Sequence, residues 1–578
     1  MGGRGGAALG ALSGLFLGAL ETLCRYLPAL ADSDLRAELE PALLSTAFYC
    51  ALGAAGGVLH RALGALALLA VPALSLDLDP LGFLAAPAAL GLGWLAASRP
   101  PLAWAGAALV FAGLLWLPRP ALPREGRPPG PDLALVVLDT VAARDTSLHG
   151  GPFDTTPSLA ALAAEGVHWS RALAPAPWTV PSHASLFTGQ PARTAGAHHE
   201  HPVLAEGLPT AAEELARSGY RTAAFVANPW MARATGITRG FAYQEAVWDL
   251  AARRSAFSAL RALDRLRPPP PGKGGEALVS RALAWLERGG EQPSFVFLNL
   301  MEAHTPYHQV PEPGRFGVAD PVALGERIHQ AQLYGQDAID FPRPGEREAA
   351  RRLYAAAVRA ADDRLADFVE GLRRRGRLDR TLLVVTSDHG ESFGEHGFTG
   401  HVIGLYEDTL HVPLVLRHPE LAWGGRERGE LVELARVYDT LLAASGESRA
   451  RSLLAADSSG DAFAVSEQRR PVRTLARFRN HLDRDRAALD NRALRVRAGP
   501  LVLLRETPAQ DGLPRFALFD LEADPGEQRP LWPDPRAAAL LERMARFDAL
   551  EVEGDRDPFF DERFRERLEA LGYLTPGG

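Results

Sequence analysis

Leu133-Ala-Leu-Val-Val-Leu-Asp139 and Thr381-Leu-Leu-Val-Val-Thr-Ser-Asp388-His389 are the two stretches that decide the fold. Each is an apolar run of strand length that ends on an acidic residue. Runs that are apolar at nearly every position are buried on both faces, as parallel strands inside an α/β sheet are. In such sheets ligands gather outside the carboxyl ends of the strands. Asp139, Asp388 and His389 are therefore expected along one rim. Further strand-like runs at 222–226, 294–300 and 412–416 alternate with helical patterns at about 156–166, 209–218, 275–288 and 347–374. This alternation predicts an α/β fold with a mostly parallel central sheet covered on both faces. Towards the C-terminus, 492–504 and 515–520 predict a small antiparallel sheet, followed by a terminal helix.

The first 118 residues have a different character. They are nearly continuous Ala, Leu and Gly, in about five apolar stretches at roughly 7–30, 41–59, 62–76, 81–98 and 101–117. Several approach the ~20 residues needed to cross a bilayer, and the pattern recurs too often for a signal peptide. Arg4, Arg61 and Arg99 occupy alternate gaps, whereas Asp32, Asp34, Glu38, Glu40, Asp77 and Asp79 occupy the others. The positive-inside rule places the arginine gaps in the cytoplasm. Five crossings then put the remainder of the chain outside it, in the periplasm or extracellular space. The expected organisation is a multi-pass transmembrane domain over 1–118, a stiff proline-rich linker over 119–131, a catalytic domain over 132–465 and a C-terminal subdomain over 466–578. The lipid bilayer is one expected partner. The net charge of −8 and the lack of a basic stripe argue against nucleic acid. Both cysteines, Cys24 and Cys50, lie in the apolar region. The catalytic domain therefore holds no disulfide, thiolate metal site or cysteine nucleophile.

Between the two acidic strand ends lies Trp178-Thr-Val-Pro-Ser-His-Ala-Ser-Leu-Phe-Thr-Gly189. Thr179 precedes Pro181 and a short helical run over about 182–187, so it reads either as a helix cap or as a nucleophile. A threonine hydroxyl is a weak nucleophile and needs a base or a metal to activate it. Asp139 and Asp388 each read alone as caps too. Together with His389 they are a mixed carboxylate and imidazole set suited to a divalent cation such as Zn²⁺ or Mn²⁺, with the Thr179 oxygen as a fourth ligand. His304, in Asn299-Leu-Met-Glu-Ala-His-Thr-Pro-Tyr307, and His401, after a glycine-rich stretch, could stabilise or protonate a leaving oxygen. Taken alone, a loop histidine is more often a solvated or structural residue. His198, His199 and His201 read as a surface turn without a role.

Taken in order, these segments resemble the sulfatase family within the alkaline-phosphatase-like group. The likeness runs through Val136-Val-Leu-Asp-Thr140, Thr155-Thr-Pro-Ser-Leu-Ala-Ala-Leu-Ala-Ala-Glu-Gly166, Pro175-Ala-Pro-Trp-Thr-Val-Pro-Ser-His-Ala-Ser-Leu-Phe-Thr-Gly189, Gly219-Tyr-Arg-Thr-Ala-Ala-Phe-Val226, Thr386-Ser-Asp-His-Gly-Glu391, Leu405-Tyr-Glu-Asp408 and Leu518-Phe-Asp-Leu-Glu-Ala-Asp-Pro-Gly-Glu527. The family's formylglycine motif is Cys or Ser, any residue, Pro, any residue, Arg; here Thr179-Val-Pro-Ser-His183 stands in its place. Threonine cannot supply the aldehyde, and His183 replaces the arginine. Thr140 stands where a second aspartate is usual, and His389 where an asparagine is. At these positions the chain is similar to membrane phosphoethanolamine transferases, lipoteichoic acid synthases and nucleotide pyrophosphatase-like phosphodiesterases. That resemblance implies Asp139, Thr179, Asp388 and His389 as metal ligands, with Zn or Mn favoured over Mg or Ca. It also implies Thr179, His304 and His401 as catalytic groups.

The function expected is a membrane-anchored, metal-dependent hydrolase or transferase acting on phosphoric or sulfuric esters through Thr179. Its substrate is an anionic ester, carried on a lipid or a glycan. Two other readings stay open. One is a catalytically silent membrane binding or assembly protein, suggested by the missing arginine. The other is a true sulfuric ester hydrolase.

Overall fold

The structure, a computed structural model, describes residues 130–247, 272–334, 345–420, 424–454, 460–477 and 489–550. The five apolar stretches, both cysteines and most of the linker lie outside these residues. So does all of a first unit, Met1–Glu125 with Trp248–Pro270; the second unit comprises Gly126–Val247 and Pro271–Gly578. Among the described residues no helix is long and apolar enough to cross a membrane.

The second unit is built on a nine-stranded sheet. Strand β1 (Asp132–Leu138) is buried at every position and lies at its centre, parallel to β5 (Ser294–Leu300) on one side and β6 (Thr381–Thr386) on the other. Beyond β5 come β3 (Arg221–Val226) and β4 (Tyr243–Ala246), both parallel to their neighbours. Beyond β6 come β9 (His411–Arg417) and β2 (Val167–Leu173), and β2 then pairs with β10 (Arg426–Arg428) and β11 (Val432–Glu433). The sheet is mixed, because β9 runs antiparallel to both β6 and β2.

Helices cover the sheet because their apolar residues recur at helical spacing. Helix α1 (Pro157–Glu165) precedes β2, and α2 (Thr179–Thr188) follows it. Helix α3 (Gly275–Arg288) leads into β5, and the 28-residue α4 (Arg347–Arg374) leads towards β6. Helices α3 and α4 approach so closely that a Cβ at Gly371 would lie 2.2 Å from Leu283. Asp362, buried on α4, accepts from the Ser158 and Leu159 N–H groups at 2.8 and 2.9 Å, satisfying two orphan donors at the start of α1.

The C-terminal addition has four antiparallel strands: β12 (Ala464–Gln468), β13 (Asn491–Ala498), β14 (Leu501–Pro508) and β15 (Arg515–Asp520). The run 492–504 is thus two strands, turned at Gly499-Pro500. A final helix, α5 (Ala538–Asp548), packs Leu540, Met544 and Phe547 against Leu494, Val496 and Leu503 of this small sheet.

Candidate active site

The carboxyl ends of β1, β5 and β6 are neighbours, so residues 160 to 250 positions apart in sequence meet there. Asp139 is the first residue past β1, and its N–H donates to Leu300 of β5 at 2.9 Å. Asp388 and His389 lie two and three residues past the end of β6. One donor atom from each of Asp139, Asp388 and His389 can be chosen so that all lie within 4.8 Å of one another. All three side chains are buried.

Thr179 is the first residue of α2, with Trp178 as its N-cap and no side-chain cap. The hydroxyl instead accepts from Asn228 Nδ2 at 3.2 Å, and the same nitrogen donates to Asp139 Oδ2 at 2.8 Å. One amide donor thus ties the threonine oxygen to the carboxylate. At a helix N-terminus the unpaired N–H groups and the positive dipole end favour an anionic group.

The ligand-type atoms in this site lack hydrogen-bond partners. They are Asp139 Oδ1, Asp388 Oδ2 and His389 Nε2. Their other atoms are occupied. Asn228 and Asn299 donate to Asp139 Oδ2 at 2.8 and 3.1 Å. The N–H groups of Thr140 and His389 donate to Asp388 Oδ1 at 3.2 and 3.0 Å. His389 Nδ1 pairs with the Gly390 carbonyl at 3.0 Å, which as a donor leaves Nε2 a lone pair. Burial, and next the charge of Asp139, push Asp388 well above the usual carboxylate range. Burial works against Asp139 as well, but His304, His389 and the two amides hold it below its ordinary value. Burial and the neighbouring His401 hold His389 well below the ordinary imidazole value, hence neutral. Two carboxylates this close cannot both ionise without a counter-charge, and a divalent cation supplies one. Asp388 Oδ2 lies 3.4 Å from His389 Nε2 and 3.6 Å from His183 Nδ1 without hydrogen-bond geometry, and Asp388 Oδ2 and His389 Nε2 together with Asp139 Oδ1 fit such a cation.

The histidines gather around this centre. The His401 ring lies 4.6 Å from that of His389 and 5.0 Å from that of His304, and Glu391 holds His401 Nδ1 at 3.0 Å. His304 Nδ1 pairs with the Thr305 carbonyl at 2.8 Å. Burial, then His401, bring His304 down to about 3. With Nδ1 donating, its Nε2 is an acceptor until the ring takes up a proton. His183, at the arginine position, is buried and pairs its Nδ1 with the Thr179 carbonyl at 2.9 Å. Thr140 adopts φ 64°, a strained conformation for a β-branched residue, and Tyr354 donates to its carbonyl at 2.6 Å.

The sequence reading overlooked Asn228 and Asn299. A fully buried asparagine inside the apolar strand Ser294–Leu300 is a usable signal, because buried amides need partners. It also misplaced the 198–201 cluster. His198 and His199 are buried, and His199 stacks 4.2 Å from Trp178, the residue before Thr179.

A family model described as Sulfatase matches residues 131–446, more than half of the chain. Arylsulfatase K of Canis lupus familiaris is 23% identical over 350 residues, covering 56% of this chain and 64% of its own length. The uncharacterized sulfatase YidJ of Escherichia coli is 22% identical over 326 residues, covering 50% and 63%. The chain therefore spans less than two thirds of these curated relatives. Among solved structures, the phosphonate monoester hydrolase of Agrobacterium radiobacter shares the fold with a TM-score of 0.54 at 20% identity, covering 72% of this chain and 94% of its own. With this geometry, and with the match running over residues 131–446 and so taking in all nine strands of the large sheet, the chain belongs to the sulfatase family.

Proposed function

We propose that this protein is a membrane-anchored, metal-dependent esterase in which Thr179 is the nucleophile and the substrate is a phosphoric ester. The observation that carries the reading is the shared Asn228 donor, which joins the Thr179 hydroxyl to a buried cluster with three ligand atoms that make no hydrogen bond. Asp139, Asp388 and His389 would hold a divalent cation, Zn²⁺ or Mn²⁺ in preference, with Thr179 as the fourth ligand. When bound, that cation lowers the pKa of the hydroxyl and neutralises charge on the transferred group. Thr179 gives its hydroxyl proton to the neutral ring of His304 or His401, its Oγ bonds to phosphorus, and the bond from phosphorus to the ester oxygen breaks, leaving a phosphothreonine. His304 or His401, once protonated, gives the departing oxygen its proton. Water, or an alcohol acceptor if the enzyme is a transferase, then attacks phosphorus and frees Thr179.

Phosphoric esters are preferred because threonine cannot become formylglycine. Sulfuric esters are the second reading. One curated relative is named Arylsulfatase K, and one structural neighbour, with a TM-score of 0.52, is in complex with D-glucosamine-2-N,6-O-disulfate. The test is a comparison of paired phosphate and sulfate esters in wild type and Thr179→Ala with added Zn²⁺ or Mn²⁺. Wild type should turn over the phosphate ester faster. The variant should lose at least ~10³-fold in kcat, the scale on which a lost nucleophile is felt. Equal, metal-independent rates would refute the proposal and favour a silent binding protein.

The apolar stretches before residue 118 support the membrane anchor, with the catalytic domain outside the cytoplasm. The full chain should stay with membranes in alkaline carbonate and leave them only in detergent. Release by carbonate would remove the anchor from the account.

A further inference from the structure

Of the 62 lysine and arginine residues in the chain, only Lys273 is a lysine. Arginine serves everywhere else, including buried pairs such as Arg377 with Asp132 and Arg495 with Glu527. The one exception stands beside the candidate active site. Its Nζ donates to the Glu302 carbonyl at 3.2 Å and contacts the carbonyl of His304. It lies within electrostatic reach of Asp139 and Glu391, whose charges favour its protonated form. Protein surrounds the ammonium, while part of the side chain reaches the surface.

The backbone around Lys273 is shaped for this approach. Gly272 and Gly274 have φ of 99° and 86°, in the region that glycine tolerates. A Cβ on Gly274 would lie 2.7 Å from Val247, and one on Gly275 would lie 2.2 Å from Glu302 Oε1. The segment comes this close because the neighbours of the lysine have no side chains.

Arginine would not do the same work. An ammonium is a compact point charge whose donors can converge on two carbonyl oxygens, whereas a guanidinium presents a flat fork. Burial also brings the Lys273 amine down to about 7, although Glu302, Asp139 and Glu391 pull the other way.

We propose that Lys273 is a further residue of this site, holding the carbonyls of Glu302 and His304 to aim the His304 ring and placing a compact positive charge where an anionic ester docks. The inference rests on the reading that the site takes an anionic ester, and it is independent of which group attacks.

With one lysine in the chain, acetylation by an amine-directed succinimidyl ester can be followed at a single side chain. In the full chain, peptide mass spectrometry should show inorganic phosphate slowing acetylation of Lys273. At ten times the dissociation constant of phosphate the slowing is about tenfold, with the N-terminal amine unaffected. The same protection is expected in Thr179→Ala, so a failure of the nucleophile assignment can be told from a failure here. Lys273→Arg should lower kcat/KM at least ~10-fold at unchanged melting temperature and metal content, because charge alone does not restore the contacts. Phosphate-insensitive acetylation overturns the proposal, as does a Lys273→Arg enzyme with wild-type kcat/KM. The wild-type labelling decides alone if the variant fails to fold.

Discussion

At the scale of single residues, the amide of Asn228 has its orientation set by its own loop. Oδ1 accepts from the Trp230 N–H at 3.0 Å, so Nδ2 is the end that meets Asp139 and Thr179. Asn299 is pinned in the same way, because its Oδ1 accepts from the Asn228 N–H at 2.9 Å. Both amides therefore engage Asp139 Oδ2, and Oδ1 is the oxygen left for a cation. Asn228→Ala should lower kcat on a phosphate ester by roughly 10- to 100-fold at saturating metal, the range seen when a residue supporting a metal ligand is lost. A kcat equal to wild type would show that the threonine needs no such guide. The acidic strand ends and His389 were legible in the sequence because each terminates a long apolar run. Asn228 and Asn299 were not, because each is a single polar residue whose partners lie far away along the chain and become visible only when the strands are side by side.

At the scale of elements, the hairpin after Asp388 shows how charge holds the rim. Strands β7 (Ser392–Phe393) and β8 (Thr399–Gly400) enclose Glu395. Its carboxylate accepts from Arg144 at 2.9 Å and from the Phe393 N–H at 2.6 Å, and it pairs with Arg351. Burial alone would raise the Glu395 pKa. Arg144 and Arg351 overcome it and hold the group at about 2, against an ordinary 4.5. A depressed carboxyl contributes stability above its unfolded pKa and loses that contribution as pH falls through its folded pKa. Acid unfolding followed by circular dichroism should therefore show wild type losing stability between pH 4.5 and 2, with Glu395→Gln less stable at neutral pH and flatter over that window. Identical acid limbs would exclude the pair as a source of stability. Elements with unbroken periodicity were the legible ones. The boundaries 294–300, 381–386, 275–288 and 347–374 coincide with β5, β6, α3 and α4. Strand β2, Val-His-Trp-Ser-Arg-Ala-Leu, went unread because polar residues interrupt it and a register shift divides it between Trp169 and Ala172. The antiparallel direction of β9 was not legible, since an apolar run carries no sign of its direction.

At the scale of the whole described unit, the small C-terminal sheet is fastened to the large one by a buried charge network. Arg495, only 1% exposed, reaches Glu527 at 3.1 Å and also Glu407, which in turn holds Arg497 at 2.8 Å. Glu407 and Glu527 lie in the two late segments that carried the family resemblance, and the structure gives those segments a physical reason: a buried charge must be paired. Glu407 lies six residues past His401, so the network ties that segment to the small sheet. The proposed function requires Thr179 to become covalently bonded to the group it removes. The most direct test is to mix the full chain with Zn²⁺ or Mn²⁺ and a phosphate ester, quench in acid during turnover, and map peptides by mass spectrometry. The account predicts a phosphoryl group on Thr179 that is missing without metal and from Thr179→Ala. Turnover with Thr179 unmodified, or with the phosphoryl group on another residue, would contradict it.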